Sequence, residues 1–228
     1  MKLRLCCVLA VLALSARASF ASTIVIGGTG AANVFPFGAN TYLGEYQQIY
    51  TSTAFSAPMT ITQIAFETAF PGFVITDTFT LSLGTTAATP ATPGSNYAAN
   101  KRPDFTTVFS GIVADPATGS GLFDFIINLS SPFVYNPASG NLLLDVVITS
   151  DVVTPGGFTG FVFGPSPNVG RVFNVNGNGA ATPGPNEGLL TQFSDTGVST
   201  VPEPATLALL GSGIVAIASR RRRQAATR

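Results

Sequence analysis

Through the middle of the chain, apolar and polar residues trade places at every second position. Phe73, Ile75, Phe79, Leu81 and Leu83 fall on one side of this alternation, and Thr76, Thr78, Thr80 and Ser82 on the other. A period of two belongs to a β-strand with one face buried, because successive side chains leave an extended backbone in opposite directions. The pattern returns at Phe123, Phe125, Ile127 and Leu129, at Leu142, Leu144, Val146 and Ile148 and, less cleanly, at Val169, Arg171, Phe173 and Val175. Further strands are predicted near Thr23–Gly27, Tyr46–Phe55, Met59–Phe70, Phe105–Gly111, Phe158–Phe163 and Gly188–Phe193, for eight to ten in all. Between them stand Pro71-Gly72, Pro93-Gly94, Asp115-Pro116, Asn136-Pro137 and Pro155-Gly156-Gly157, residues that fix or free φ where a chain turns. Short strands at regular spacing, with no amphipathic helix among them, predict an all-β fold: a jelly-roll-like β-sandwich with a core rich in phenylalanine. Two low-complexity stretches, Thr85–Asn100 and Asn174–Glu187, are predicted as long surface loops.

The ends of the chain break the pattern. Lys2 and Arg4 flank the start of an apolar run, Leu5–Leu14, and small residues follow at Ala16, Ala18, Ser19 and Ala21. This is the layout of a secretory signal peptide, with cleavage by signal peptidase expected between Ala21 and Ser22. The apolar run, ten residues long, falls well short of the roughly 20 that a spanning helix needs. Cys6 and Cys7, the only cysteines, lie in this leader, so the exported chain is expected to have no disulfide. At the other end, Val201, Pro202, Glu203 and Pro204 precede an uncharged, mostly apolar stretch, Ala205–Ser219, and then four arginines, Arg220, Arg221, Arg222 and Arg223. As a helix that stretch would rise about 22 Å against a hydrocarbon core of roughly 30 Å, which suits a temporary anchor with its arginines on the cytoplasmic side. The predicted organisation is a leader over 1–21, a sandwich body over 22–200, an anchor segment with a short hydrophobic helix over 201–223 and a basic cytoplasmic end over 224–228.

The order of parts from Val201 to Arg223 resembles the PEP-CTERM sorting signal of Gram-negative bacteria: Pro-Glu-Pro, a short apolar segment, a basic cluster. The resemblance implies recognition by an exosortase, a multipass membrane protease or transpeptidase, with Val201, Pro202, Glu203 and Pro204 as the recognised residues and Arg220–Arg223 as the basic stop. It also implies export across the inner membrane, transient insertion through the tail, and delivery to the cell surface or the exopolysaccharide matrix. Two prolines hold such a stretch extended and remove backbone donors, leaving a lone carboxylate for a receptor to read. The phrases Tyr46-Gln47-Gln48-Ile49-Tyr50 and Tyr135–Leu142 also resemble parts of the bodies of such exported proteins, and imply a sandwich without assigning an activity.

Once the ends are set apart, the charge picture changes. The whole chain balances 11 Lys and Arg against 11 Asp and Glu, yet residues 23–200 hold only Lys101, Arg102 and Arg171 against ten acids. A body this acidic offers no electrostatic footprint for nucleic acid or anionic polymers. With no histidine anywhere and cysteine confined to the leader, histidine and thiol triads are excluded and zinc lacks its usual ligands. Ile24-Val25-Ile26-Gly27-Gly28-Thr29-Gly30 imitates the glycine turn of a dinucleotide site, but Asn33 and Pro36 deny it the helix that would receive a pyrophosphate.

Some candidate chemistry remains. Asp77, Asp124 and Asp145 lie on strands where burial raises a carboxyl pKa, the raw material of a glycosidase pair, although Asp145 reads equally as the solvent face of its strand. Asp104, Asp115, Asp151, Glu187 and Asp195 offer oxygens to Ca2+ or simply cap turns. With no Trp, a sugar-stacking platform must come from tyrosine. Tyr46 and Tyr50 share a face of one strand and are the candidate ligand-binding residues, or else part of the core. The favoured reading is an exported sandwich with a non-catalytic, structural or adhesive role in an exopolysaccharide or biofilm matrix, without a cofactor. A carbohydrate-binding module stands second and a carboxylate-dependent glycoside hydrolase third.

Overall fold

The computed structural model describes residues 22–38, 43–70, 75–114, 121–153, 160–174 and 181–195. Strand formers dominate these segments, and among the described residues they make β1 (Ser22–Ile26), β2 (Ala31–Asn33), β3 (Gly44–Tyr50), β4 (Met59–Phe70), β5 (Ile75–Thr86), β6 (Thr106–Ala114) and β7 (Leu122–Tyr135). There follow β8 (Asn141–Val153), β9 (Gly160–Pro165), β10 (Val169–Phe173), β11 (Thr182–Gly184), β12 (Glu187–Leu189) and β13 (Thr191–Asp195). Sheet I runs β1-β13-β4-β9-β12, with β2 added to β9 and β7 to β4, and sheet II runs β11-β10-β3-β8-β5-β6. All pairings are antiparallel.

The pairings nest. β5 pairs with β6 at the centre of the nest, β4 with β7 around it, β3 with β8 around that, and β1 with β13 outermost. A long antiparallel ribbon rolled up in this way puts alternate pairs in opposite sheets, which is the jelly-roll arrangement. The short strands β2 and β9–β12 are additions to that frame. β4 falls on the predicted span. Gly188–Phe193 divides into β12 and β13 because the Leu190 backbone turns to bond Val162 and Glu67, and the three-residue strands β2 and β11 carry too little alternation to be read.

The core is built from the inward halves of these alternations. Sheet II contributes Tyr46, Tyr50, Phe79, Leu81, Leu83, Leu142, Leu144 and Val146; sheet I contributes Ile61, Ile64, Phe66, Phe125, Ile127, Phe161 and Phe193. Phe37 comes from the turn after β2, not from a strand, and plugs the centre. Its ring lies 4.7–6.0 Å from those of Phe66, Phe79, Phe125 and Phe161, in tilted and edge contacts that suit aromatic quadrupoles. The Gly27-Gly28 turn has a packing role. A Cβ on Gly28 would overlap the Gly164 carbonyl and one on Gly164 the Thr29 carbonyl, so glycine at both positions lets two backbones pass in contact.

Thr85–Asn100 departs most from expectation. Instead of standing off as a loop, residues 87–105 form a strap folded flat over the outer face of sheet II, with a single-turn helix, α1 (Tyr97–Asn100), inside it. Asn141 Nδ2 donates to the Ala88 carbonyl (2.8 Å), Asn186 N to the Pro90 carbonyl (2.8 Å) and Arg102 Nη1 to the Ser139 carbonyl (2.9 Å), while the Asp104 carboxylate accepts from Thr85 N. Both faces of β3 are therefore covered, and every residue from Tyr46 to Tyr50 is buried.

Candidate functional site

Sheet register brings Gln47 of β3 beside Asp145 of β8, which in turn lies beside Ser82 of β5, all on the outer face of sheet II. The strap lowers α1 onto this row. Tyr97 Oη donates to the Glu45 carbonyl (2.7 Å), Asn100 Nδ2 to Gln47 Oε1 (2.8 Å), and Gln47 Nε2 to the Tyr97 carbonyl (3.1 Å) and Asp145 Oδ1 (2.8 Å). Lys101, directly after α1, places Nζ 2.8 Å from Glu45 Oε1 and 3.3 Å from Asp145 Oδ2, with the Phe105 ring 4.8 Å away. Two carboxylates, one ammonium and one amide thus converge under the strap.

The Asp145 side chain is only 3% exposed, against 25% for Glu45 and 27% for Lys101. Burial and the neighbouring Glu45 carboxyl push Asp145 up to about 7, against the opposing pull of Gln47 and Lys101. At Lys101 burial works to lower the pKa, but the hydrogen bond to Glu45 and the charges of both carboxylates more than offset it, and the ammonium titrates above its usual range. Of the two readings of Asp145, the buried carboxyl holds and the solvent face does not. Its alternation with core residues does place it on the outer face, but the strap buries that face.

The tyrosine platform is also corrected. Tyr46 and Tyr50 do share a face, and it is the inner one, where both are fully buried. Tyr46 Oη donates to Gln48 Oε1 (2.6 Å), Gln48 Nε2 donates to Tyr50 Oη (2.8 Å) and to the Leu189 carbonyl (3.0 Å), Tyr50 Oη donates to Thr191 Oγ1 (2.9 Å), and Leu189 N donates to Gln48 Oε1 (2.8 Å). This network ties sheet II to β12 and β13 across the core, and its burial drives the Tyr50 phenol well above its ordinary pKa. No sugar ring reaches these tyrosines.

The other candidates are dispersed. Asp77 is buried on β5, five residues along from the Ser82 that faces Asp145. Asp124 belongs to sheet I and accepts from Thr68 Oγ1 (2.8 Å). Glu187 is taken up by Arg171, whose Nε and Nη2 donate to Glu187 Oε1 at 3.0 and 2.8 Å. The Arg171 guanidinium is held between the rings of Phe163 and Phe173, 4.1 and 4.4 Å from their centroids, a desolvated cation–π sandwich at the edge between the sheets. Asp195 ends β13, and Asp104 caps the strap. Among the described residues no three acidic side chains gather into a metal-sized cluster. Asp115 lies outside the described residues, and of Asp151 only the backbone is described. Sequence reasoning missed Lys101, Glu45 and Gln47 as a site. The available signal was that Lys101 is, apart from Lys2, the chain's one lysine.

Val201, Pro202, Glu203 and Pro204, expected as the recognised residues, the arginines Arg220–Arg223 and the predicted cleavage residue Ala21 lie outside the described residues, while Ser22 opens β1. Their sequence nevertheless decides the address, because residues 200–223 match the PEP-CTERM protein-sorting motif. The chain carries a PEP-CTERM sorting motif. The PEP-CTERM motif marks an exported protein, sorted by an exosortase system through a membrane-associated C-terminal signal. No curated protein and no solved structure matches the chain.

Proposed function

We propose that the protein is a non-catalytic structural or adhesive component of a surface or exopolysaccharide matrix, released from its membrane anchor by exosortase cleavage near Pro204. The observation that carries this reading is the way the body uses its charged groups. Lys101, Glu45 and Asp145 fasten the strap, and Arg171 and Glu187 fasten the edge of the sandwich, so the polar chemistry is spent on holding the body together. An intact-mass measurement of the protein from its host, beside a Glu203→Ala variant, tests the processing. The wild type is expected to lack everything beyond about Pro204 and the variant to keep its tail. A wild-type chain extending to Arg228 would leave a plain membrane anchor instead. Loss of the protein is expected to weaken matrix cohesion without loss of any turnover.

A second reading, binding of a neutral glycan, is favoured by the outer face of sheet I. There Thr23, Ser194, Gln63 and Asn128 form one row across β1, β13, β4 and β7, with Gln192 alongside. Gln63 Nε2 donates to Asn128 Oδ1 at 2.9 Å, and hydroxyls and amides of this kind match sugar hydroxyls as both donors and acceptors. Among the described residues no strap covers this row. A Gln63→Ala, Asn128→Ala double variant is expected to elute earlier than wild type from a column of neutral polysaccharide. Identical elution of the two would remove this reading.

A further inference from the structure

An amine, a buried carboxylic acid and a second carboxylate touching both make up the parts needed to form an amide bond. Lys101 Nζ stands 3.3 Å from Asp145 Oδ2, so the amine is held against the carboxyl group whose Cγ it would attack. Glu45 Oε1 is 2.8 Å from the same nitrogen, and the Glu45 carboxyl hydrogen-bonds Asp145. Gln47 Nε2 fixes the other Asp145 oxygen at 2.8 Å, and the Phe105 ring shields the amine from the strap side. The body has no cysteine with which to staple itself, and its one lysine sits here.

We propose that Lys101 and Asp145 join in an intramolecular isopeptide bond, with Glu45 relaying the protons. The Lys101 ammonium first gives a proton to the Glu45 carboxylate. The freed amine then attacks Cγ of the Asp145 carboxylic acid, which burial keeps protonated below about pH 7. Negative charge develops on Oδ1, where the Gln47 amide N–H already donates. Glu45 passes its proton to the Oδ2 hydroxyl, which departs as water, and accepts the second proton of the nitrogen. One C–N bond forms and one C–O bond breaks. Of the two protons the ammonium loses, one leaves in the water and the other remains on Glu45, so no oxidant, reductant or co-reactant is needed. The product fastens the end of α1 to the middle of β8.

The test is the intact mass of the purified full chain after incubation at mildly acidic pH, followed by tryptic digestion. The wild type is expected to be one water lighter than its termini dictate. Trypsin should leave the chain uncut after Lys101, and fragment sequencing should place the link on Asp145. Lys101→Arg, which keeps the charge, and Asp145→Ala are expected at full mass. Glu45→Gln, folded by circular dichroism, is expected to form the bond many times more slowly. A folded wild type at full mass and cut after Lys101 would overturn the proposal, and so would a link mapped to Glu45.

Discussion

At the scale of single residues, two polar side chains do opposite jobs at neighbouring positions of β3. Gln48 points inward and satisfies two tyrosine hydroxyls and both backbone groups of Leu189, none of which has water as an alternative. Gln48→Ala removes all four of these bonds. Thr191 still serves the Tyr50 hydroxyl and the Leu189 carbonyl, but the Leu189 amide loses its Gln48 acceptor, and since an unsatisfied buried polar atom costs about 1–3 kcal/mol, the variant is expected to lose about that much in urea unfolding. Gln47 points outward and is buried only because the strap lies on it. Beneath the strap the ionisable groups facing one another are Glu45 from β3, Asp145 from β8 and Lys101 from the strap, while Arg102 and Asp104 are turned to Ser139 and Thr85. The Asp145 pKa is raised in the folded protein, so its acid form prevails below about 7 and is lost as pH rises through that value. Only the acid form is the electrophile. Formation of the Lys101–Asp145 bond in freshly refolded protein is therefore expected to slow as pH rises from 6 to 8, about tenfold per unit once past the pKa, as read by the growth of the lighter species over time.

At the scale of elements, alternation says which residues share a face but not what covers that face. Met59–Phe70 and the row Phe79, Leu81, Leu83 were legible because a period of two is local and their inner sides meet the core. Asp145 and Tyr46 were not, because the facts that decide them, a strap arriving from residues 87–105 and a network reaching across to β12 and β13, are distant in sequence. The strap itself was hidden by composition. Its Ala, Thr and Pro residues give no period, and it is held by hydrogen bonds to sheet and turn residues, not by an apolar stripe of its own. A cross-link between residues 101 and 145 would close a 44-residue loop, contributing about 4 kcal/mol in the chain-entropy account. Phe37 was invisible for a related reason, since it lies in a turn. Truncating it leaves a cavity among four rings, and Phe37→Ala is expected to destabilise by about 3–5 kcal/mol, measured by chemical denaturation.

At the scale of the whole molecule, the nested pairing makes the body a product of long-range contacts, the topology that folds slowly. The sorting motif was legible from the sequence because it is a short linear signal read by another protein and owes nothing to the fold. The role of the body was not, because its surface chemistry depends on which of two outer faces is closed. The outermost pair carries a mechanical consequence. Ser22 lies opposite Asp195, so the body begins and ends at one corner, on two antiparallel strands that present the same end to whatever holds them. A pull between the two ends would load the β1–β13 ladder one rung at a time, peeling from Ser22 towards Ile26, a weak geometry. A load that enters at Asp195 and leaves at the opposite end of the sandwich would instead run along β13 and meet the rungs of its ladders together in shear, a stronger geometry.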